Sequence, residues 1–171
     1  MADETRTPKR ALFGLSAAVY AQRDGKILVL KRAMGEATGG WYIPGGAVDP
    51  GEDVETAARR ELFEEAGLVP DGPLTLISAN HMHVYGGEAL QLCYACDCTT
   101  GDVIISHEHS GFRWMEPEAY RERFLSDAMI EQIAATNEHY AALMRTVRAG
   151  LDDFIKWCDD QRVLRNARAE G

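Results

Sequence analysis

The alternation of apolar and polar positions along the 171-residue chain predicts strands first and helices afterwards. Strands are predicted over residues 12–21, 26–32, 41–46, 73–84, 88–98 and 111–115. Asp24-Gly25 separates the first two, and this dipeptide accepts positive φ, so it favours a hairpin turn. The first half of the chain is therefore expected to form a sheet that is interrupted by one helix.

The interrupting helix is predicted over residues 53–66, with Asp53 as the N-cap and Gly67 as the residue that ends it. Pro117 is expected to open a second helix in its first turn. Apolar residues then recur at helical spacing from Ile130 to Cys158. The order of elements predicts a mixed α/β fold with a helical C-terminal extension. We expect a flexible N-terminus over 1–10, one domain over 11–125 and the extension over 126–171.

Charge and composition narrow the classes of partner. Lys and Arg total 18 and Asp and Glu total 27, a net charge of −9, so the chain is expected to be a poor general nucleic-acid binder. A small polyanion could still bind through metal ions. No run of 18 apolar residues is present, which argues against a membrane span. Residues 11–20 imitate a signal peptide but are better interpreted as a strand. The four cysteines are then expected to be reduced thiols in the cytoplasm.

Glutamates interrupt the apolar stripe of the helix predicted over 53–66. The helical template places six side chains on its inner face: Val54, Ala57, Ala58, Glu61, Leu62 and Glu65. Glu64 lies at the edge of that face, while Arg59 and Arg60 fall on the opposite side. Clustered carboxylates repel one another, so an inward cluster favours a bound divalent cation, and oxygen ligands select Mg²⁺ or Mn²⁺. The alternative is an exposed acidic helix face.

Residues 46–68 carry a longer pattern around these glutamates, G-x5-E-x7-R-E-U-x-E-E-x-G-U, where U is aliphatic. The pattern resembles the signature box of the Nudix hydrolases at all nine of its specified positions. A strand hairpin before the box, the W-x-x-P-G-G approach to it and a later strand ending in Trp114 extend the likeness. The resemblance implies the Nudix fold, a sandwich of a mixed β-sheet between helices.

The resemblance also implies a reaction and roles within the box. Nudix enzymes use divalent metal ions to hydrolyse the P–O–P bridge of a nucleoside diphosphate that is linked to another group. Glu61, Glu64 and Glu65 match the metal-ligand and base positions of the family. In the family, the positions of Glu52 and Arg60 brace the loop–helix–loop through an ion pair. Gly45 and Gly46 are expected to let the backbone approach the metal closely, and the Gly45 carbonyl is a candidate metal ligand. Gly67 is expected to end the helix.

Three candidates for the site lie outside the box. Glu108 is expected to supply a base or a further metal ligand, with a solvated loop carboxylate as the alternative. Lys31 and Arg32 end a predicted strand, where family members often place a cation against substrate phosphate; strand-edge solubility charges are the alternative. Tyr85 lies near the position where dinucleoside-polyphosphate hydrolases often have a tyrosine.

The box names the reaction and leaves the substrate open. A nucleoside triphosphate is the favoured class, with a dinucleoside polyphosphate or a nucleotide sugar as alternatives. A non-catalytic alternative is a regulatory Nudix domain that only binds nucleotides. The complete set of box glutamates argues against this alternative. The C-terminal extension is expected to pack on the domain, shape the substrate pocket or form a homodimer contact. A zinc site is disfavoured, because Cys93 and Cys96 fall on opposite faces of a strand.

Overall fold

The computed structural model describes residues 12–35, 37–84 and 87–169. Its strands are β1 (Gly14–Arg23), β2 (Lys26–Arg32), β3 (Trp41–Tyr42), β4 (Gly45–Ala47), β5 (Thr75–Val84), β6 (Gly87–Asp97) and β7 (His109–Met115). Its helices are α1 (Val54–Ala66), α2 (Pro117–Phe124), α3 (Asp127–Ala134) and α4 (Glu138–Ala169). The helix predicted over 53–66 and the helix opened by Pro117 are both confirmed.

Strands β1 and β2 form the predicted hairpin, and their turn uses positive φ at Asp24 (51°) and Gly25 (76°). The two strands are paired only beside this turn, at Gln22 with Ile27 and Arg23 with Lys26. Beyond it, β1 pairs with β4 and, in parallel, with β6, whereas β2 pairs with β3 and β7. The parallel β1–β6 pair among antiparallel neighbours makes this a mixed sheet.

Each face of the sheet is covered by a different helix, because successive strand residues point to opposite sides. Along β1, Ala17, Val19 and Ala21 pack in the core beneath α1, while Ala18 and Tyr20 pack in the core beneath α4. The Tyr20 ring stacks on Phe154 of α4 with a centroid distance of 4.6 Å. The predicted fold, a mixed sheet between helices with a helical C-terminal region, is confirmed.

The prediction of one short strand ending in a turn over 41–46 is only partly confirmed: a strand begins at Trp41, but the stretch contributes to two strands with different partners. Trp41–Tyr42 pairs with β2, and Gly45–Ala47 pairs with β1. Pro44 has no N–H for a ladder, and its carbonyl instead accepts a 2.8 Å hydrogen bond from the Val19 N–H. The chain therefore changes partners at Pro44 and places Gly45 and Gly46 opposite Ala18 and Ala17 of β1.

The C-terminal helices form a layer of the core. Helix α4 runs unbroken through Gly150 and packs against β5 and α3, with Leu151 and Phe154 fully buried. A Cβ at Gly150 would lie 3.0 Å from the Tyr20 hydroxyl and 3.1 Å from the Cys93 sulfur, so glycine permits this close approach to the sheet. In the described part of the chain, no helix combines the length and apolar character needed to cross a membrane.

Candidate active site

Helix α1 is fixed at both ends by the residues that the sequence indicates. The Asp53 side chain accepts a 2.9 Å hydrogen bond from the Thr56 N–H, and Gly67 adopts a left-handed conformation and donates to the Phe63 carbonyl at 2.8 Å. Ala57, Ala58, Leu62 and Ala66 are completely buried against the sheet. This rotation of the helix decides where its glutamates point.

The three box glutamates have three different environments. The side chain of Glu65 is 9% exposed, that of Glu61 is 14% exposed, and that of Glu64 is 57% exposed. The inward phase predicted for Glu61 and Glu65 is thus correct, and Glu64 lies at the edge that opens to solvent. The helix presents a gradient of burial over little more than one turn.

Glu65 is the most enclosed of the three, and its carboxylate is held from outside the helix. The Gly45 N–H donates to its Oε2 at 2.9 Å, and the Nε2 atom of His109 lies 3.7 Å from its Oε1. Burial raises the pKa of Glu65 from 4.5 to about 7, although the Gly45 hydrogen bond opposes the rise. A carboxyl group in this state gains from a neighbouring cation.

Arg60 ties the box together with a single guanidinium group. Its Nε and Nη2 atoms each donate to Glu52 at 3.0 Å, Nη1 donates to Glu61 at 2.7 Å and Glu64 at 3.1 Å, and Nη2 also reaches the Ala47 carbonyl at 3.0 Å. The ion pair with Glu52 that the resemblance implied is present. The prediction that Arg60 points away from the site is wrong, because its long side chain bends back across the helix.

Glycines before the box leave room for the helix. A Cβ on Gly46 would lie 2.5–2.7 Å from the carboxylate atoms of Glu61, and a Cβ on Gly45 would collide with the backbone of Ala17 and Ala18. Burial raises the pKa of Glu61, as do the charges of Glu64 and Glu108, while Arg60 lowers it. Gly46 therefore brings the backbone directly against a carboxylate whose charge is only partly compensated.

A segment formed by residues 104–109 packs against the C-terminal end of α1 and borders the site there. Its backbone N–H groups at Ile104 and Ser106 donate to the last carbonyls of α1, at Ala66 (2.9 Å) and Glu65 (3.2 Å). The Ala33 N–H donates to the Glu108 carbonyl at 2.7 Å, which fastens the segment to the end of β2. The segment thus satisfies carbonyls that a helix end leaves unpaired and joins α1 to β2.

The candidates outside the box are placed differently from one another. Glu108 lies close to the carboxylates and forms an ion pair with Arg32 at 3.5 Å. Lys31 follows Ile27 and Val29 on the face of β2 that α4 covers, so alternation directs it away from the carboxylates. The expectation that both cations line one site is therefore not met. Tyr85 lies outside the described residues.

His109 is a buried residue of the site that the sequence pattern did not single out from its neighbours. Its side chain is 2% exposed, and its Nδ1 atom lies 3.3 Å from the Ser106 hydroxyl. Burial lowers the pKa of His109, and the positive charge of Arg32 lowers it further. The register of β7, in which His109 pairs with Arg32, would have revealed this position, but it cannot be inferred from local sequence.

The carboxylate oxygens at the site suit a hard divalent cation, although the side chains are not already arranged around a metal position. Glu61, Glu64, Glu65 and Glu108 offer carboxylate oxygens, the ligands that Mg²⁺ and Mn²⁺ prefer. In the described ranges, no group of three or more acidic, histidine or cysteine side chains is arranged to hold a metal ion. Arg60 engages Oε1 of Glu61 and Oε2 of Glu64, so a cation would use the other oxygen of each or displace the guanidinium.

A model of the NUDIX domain matches residues 12–135, which is most of the chain and includes the whole site. The chain belongs to the NUDIX family. The resemblance in the box is confirmed, and membership supports a pyrophosphohydrolase. Nucleoside triphosphatase NudI of Escherichia coli O81 is 35% identical over 109 residues, which cover 57% of this chain and 77% of NudI. The 8-oxo-dGDP phosphatase NUDT18 of Mus musculus is 41% identical over 61 residues, 36% of this chain and only 19% of NUDT18.

Solved structures of Nudix proteins share the fold. A MutT NUDIX hydrolase from Burkholderia pseudomallei is similar with a TM-score of 0.57 and 28% identity, covering 63% of this chain and 85% of that one. A Caenorhabditis elegans Ap4A hydrolase gives a TM-score of 0.62 at 24% identity and covers 86% of this chain and 98% of that one. The likeness to the nematode enzyme extends over more of the chain and concerns the fold alone.

Proposed function

We propose that this Nudix protein is a metal-dependent hydrolase that cleaves a phosphoanhydride bond of a nucleoside triphosphate. The observation that carries the proposal is the turn of α1 that sets Glu61, Glu64 and Glu65 side by side. Glu65 is buried, and Gly46 and the 104–109 segment close around the turn. Such a carboxylate cluster is unfavourable without a cation, and a triphosphate brings further negative charge that a cation would also neutralise.

Each acidic residue has a proposed task that follows from its environment. Glu61, Glu64 and Glu65 would hold Mg²⁺ or Mn²⁺. When bound, the metal would lower the pKa of an attacking water and offset charge on the phosphates. The Glu61 side chain is 14% exposed and burial raises its pKa, which suits it to accept a proton as well. Glu108 is the second candidate base, because its charge is close enough to raise the pKa values of Glu61 and Glu65.

Arg32 is proposed to contact substrate phosphate. Its side chain is about one-third exposed and lies at the end of β2, where it forms an ion pair with Glu108. The positive charge of Arg32 offsets the negative charge of Glu108, which by itself would repel a phosphate. A forked guanidinium binds phosphate oxygens through two parallel hydrogen bonds. Arg60 is a poor candidate for the same task, because Glu52, Glu61, Glu64 and a backbone carbonyl already engage its donors.

The choice of a triphosphate rests on the relatives. NudI, matched over most of its length, is named a nucleoside triphosphatase, whereas the match to NUDT18 covers only a small part of that protein. A dinucleoside polyphosphate is the next candidate class. All four cysteines are free thiols, which supports the proposed location in a reducing compartment such as the cytoplasm.

The proposal is tested by incubating the protein with a panel of nucleoside triphosphates, dinucleoside polyphosphates and nucleotide sugars. Mg²⁺, Mn²⁺ or EDTA is present in parallel reactions, and release of phosphate or pyrophosphate is measured. We expect metal-dependent turnover of at least one triphosphate, and loss of that turnover in Glu65→Gln. Metal-dependent nucleotide binding without hydrolysis of any panel member would instead support a regulatory binding domain.

A further inference from the structure

The carboxylate of Glu65 lies between two parts of the chain that are far from it in sequence. Its Oε2 accepts the Gly45 N–H at 2.9 Å, from the turn before α1. Its Oε1 faces His109, whose Nε2 lies 3.7 Å away at the start of β7. The first contact belongs to the Nudix box region, but the second comes from a residue beyond it.

The hydrogen bonds behind His109 are compatible with one direction of donation from Ser106 to the imidazole. The Glu108 N–H donates to the Ser106 hydroxyl oxygen at 3.3 Å, which leaves the hydroxyl proton available for another acceptor. The Nδ1 atom of His109 lies 3.3 Å from that hydroxyl and can accept this proton. A neutral imidazole that accepts at Nδ1 carries its proton on Nε2, and Nε2 is the atom that faces the Glu65 carboxylate.

Backbone hydrogen bonds restrict the positions of Ser106 and His109. The Ser106 N–H donates to the Glu65 carbonyl at 3.2 Å, and the His109 N–H donates to the Ser106 carbonyl at 3.1 Å. The His109 side chain is 2% exposed, so water does not compete for its ring nitrogens. The same short segment therefore holds both the backbone and the side chain of Glu65.

We propose that Ser106 and His109 are positioning residues that orient the Glu65 carboxylate through an Nε2–H donor. This inference rests on the proposed function, in which Glu65 holds a divalent cation. Partners behind a metal ligand fix its orientation, and their loss typically reduces metal affinity or activity about 10–100-fold. His109 has no contact with substrate in this role and acts through Glu65.

The first test compares Mn²⁺ affinity, measured by titration calorimetry, among full-length variants. His109→Leu removes the donor and is expected to weaken Mn²⁺ binding by about 10-fold or more. His109→Gln can return an N–H near the Nε2 position and should recover most of the loss, and Ser106→Ala should give a smaller loss. His139→Leu changes an exposed histidine of α4 in the same way and serves as the matched control. If His109→Leu does not fold, the loss of Mn²⁺ affinity expected in Ser106→Ala decides the question, and wild-type affinity in that variant would count against the inference.

The second test needs neither metal nor substrate. In ¹⁵N-labelled, metal-free protein at pH 8, the His109 imidazole is expected to be the Nε2–H tautomer. Its nitrogen shifts should change in Glu65→Gln and not in Glu64→Gln. An Nδ1–H tautomer, or Mn²⁺ affinity and kcat in His109→Leu equal to those of the wild type, would overturn the inference. If the wild type hydrolyses no nucleotide, the proposed function fails, while the tautomer and the Mn²⁺ titrations still report on positioning.

Discussion

Replacing Glu65 with glutamine should stabilise the metal-free protein while abolishing its activity. The carboxyl is buried, and its pKa is raised from 4.5 to about 7. A shift of this size corresponds to about 3 kcal/mol of unfavourable free energy for the charged form. Glutamine has nearly the same shape, and its amide oxygen can still accept the Gly45 N–H. Its amide N–H group then faces His109 Nε2, which can accept it once the imidazole proton moves to Nδ1, so the variant removes the charge without leaving two donors opposed.

The effect has a defined pH dependence. Between pH 4.5 and about 7, the unfolded chain has lost the Glu65 proton while the folded protein retains it. The folded state therefore binds more protons, and the contribution of Glu65 to stability falls as the pH rises through this window. Glu65→Gln has no carboxyl group to titrate at this position, so its stability does not fall for this reason as the pH rises. Its advantage over the wild type should be near zero below pH 4.5 and reach about 3 kcal/mol above pH 7, or about 6–12 °C in Tm.

The assay is urea unfolding and thermal melting of both proteins in EDTA from pH 4.5 to 8. Glu64→Gln is the matched control, since its exposed side chain should change stability by no more than about 0.5 kcal/mol. Mg²⁺ at one hundred times its Kd should then stabilise the wild type by about 2.7 kcal/mol and Glu65→Gln much less. A variant no more stable than the wild type at pH 8 in EDTA would refute the burial argument.

Three further predictions concern other parts of the molecule. Gly46→Ala should lower kcat about 100-fold with little change in Tm, because its Cβ displaces the Glu61 carboxylate, a movable side-chain end. Arg32→Ala should raise the KM for nucleotide about 10-fold, whereas Lys31→Ala, on the other face of β2, should leave it nearly unchanged; equal effects would contradict this placement. Phe154→Ala should reduce the free energy of unfolding by about 3–5 kcal/mol in urea titrations, and a loss below about 1 kcal/mol would show that α4 does not complete the core.

The elements that carry the candidate site could be predicted because their signals are local. Capping by Asp53 and Gly67 and the apolar phase of α1 require only neighbouring residues, and the helix ends where those residues indicate. The same phase correctly assigned inward positions to Glu61 and Glu65. The turn at Asp24-Gly25 was predictable for the same reason, since its backbone conformation is a property of two residues.

Other features depend on distant partners and escaped the sequence. Trp41–Tyr42 and Gly45–Ala47 separate because β2 and β1 diverge, which no local pattern records. The helical phase places Arg60 on the side of α1 away from the inner face, yet its side chain is long enough to reach back to Glu52. His109 becomes a neighbour of Glu65 only through the register of β7 on β2. These three features depend on tertiary contacts, which the identities of neighbouring residues do not specify.

Three adjacent carboxylates on one helix would be redundant if they shared one environment, and the structure separates them. Each residue advances the helix by about 100°, so neighbouring positions leave the core at different depths. Glu64 is exposed to solvent and forms an ion pair with Arg60. Glu65 is enclosed between Gly45 and His109, where burial raises its pKa and disfavours the charged form. Glu61 lies between these extremes, with Gly46 against its carboxylate and Arg60 on one oxygen. A cation entering this turn would therefore gain most from Glu65, and the helical phase makes that residue the anchor of the proposed metal site.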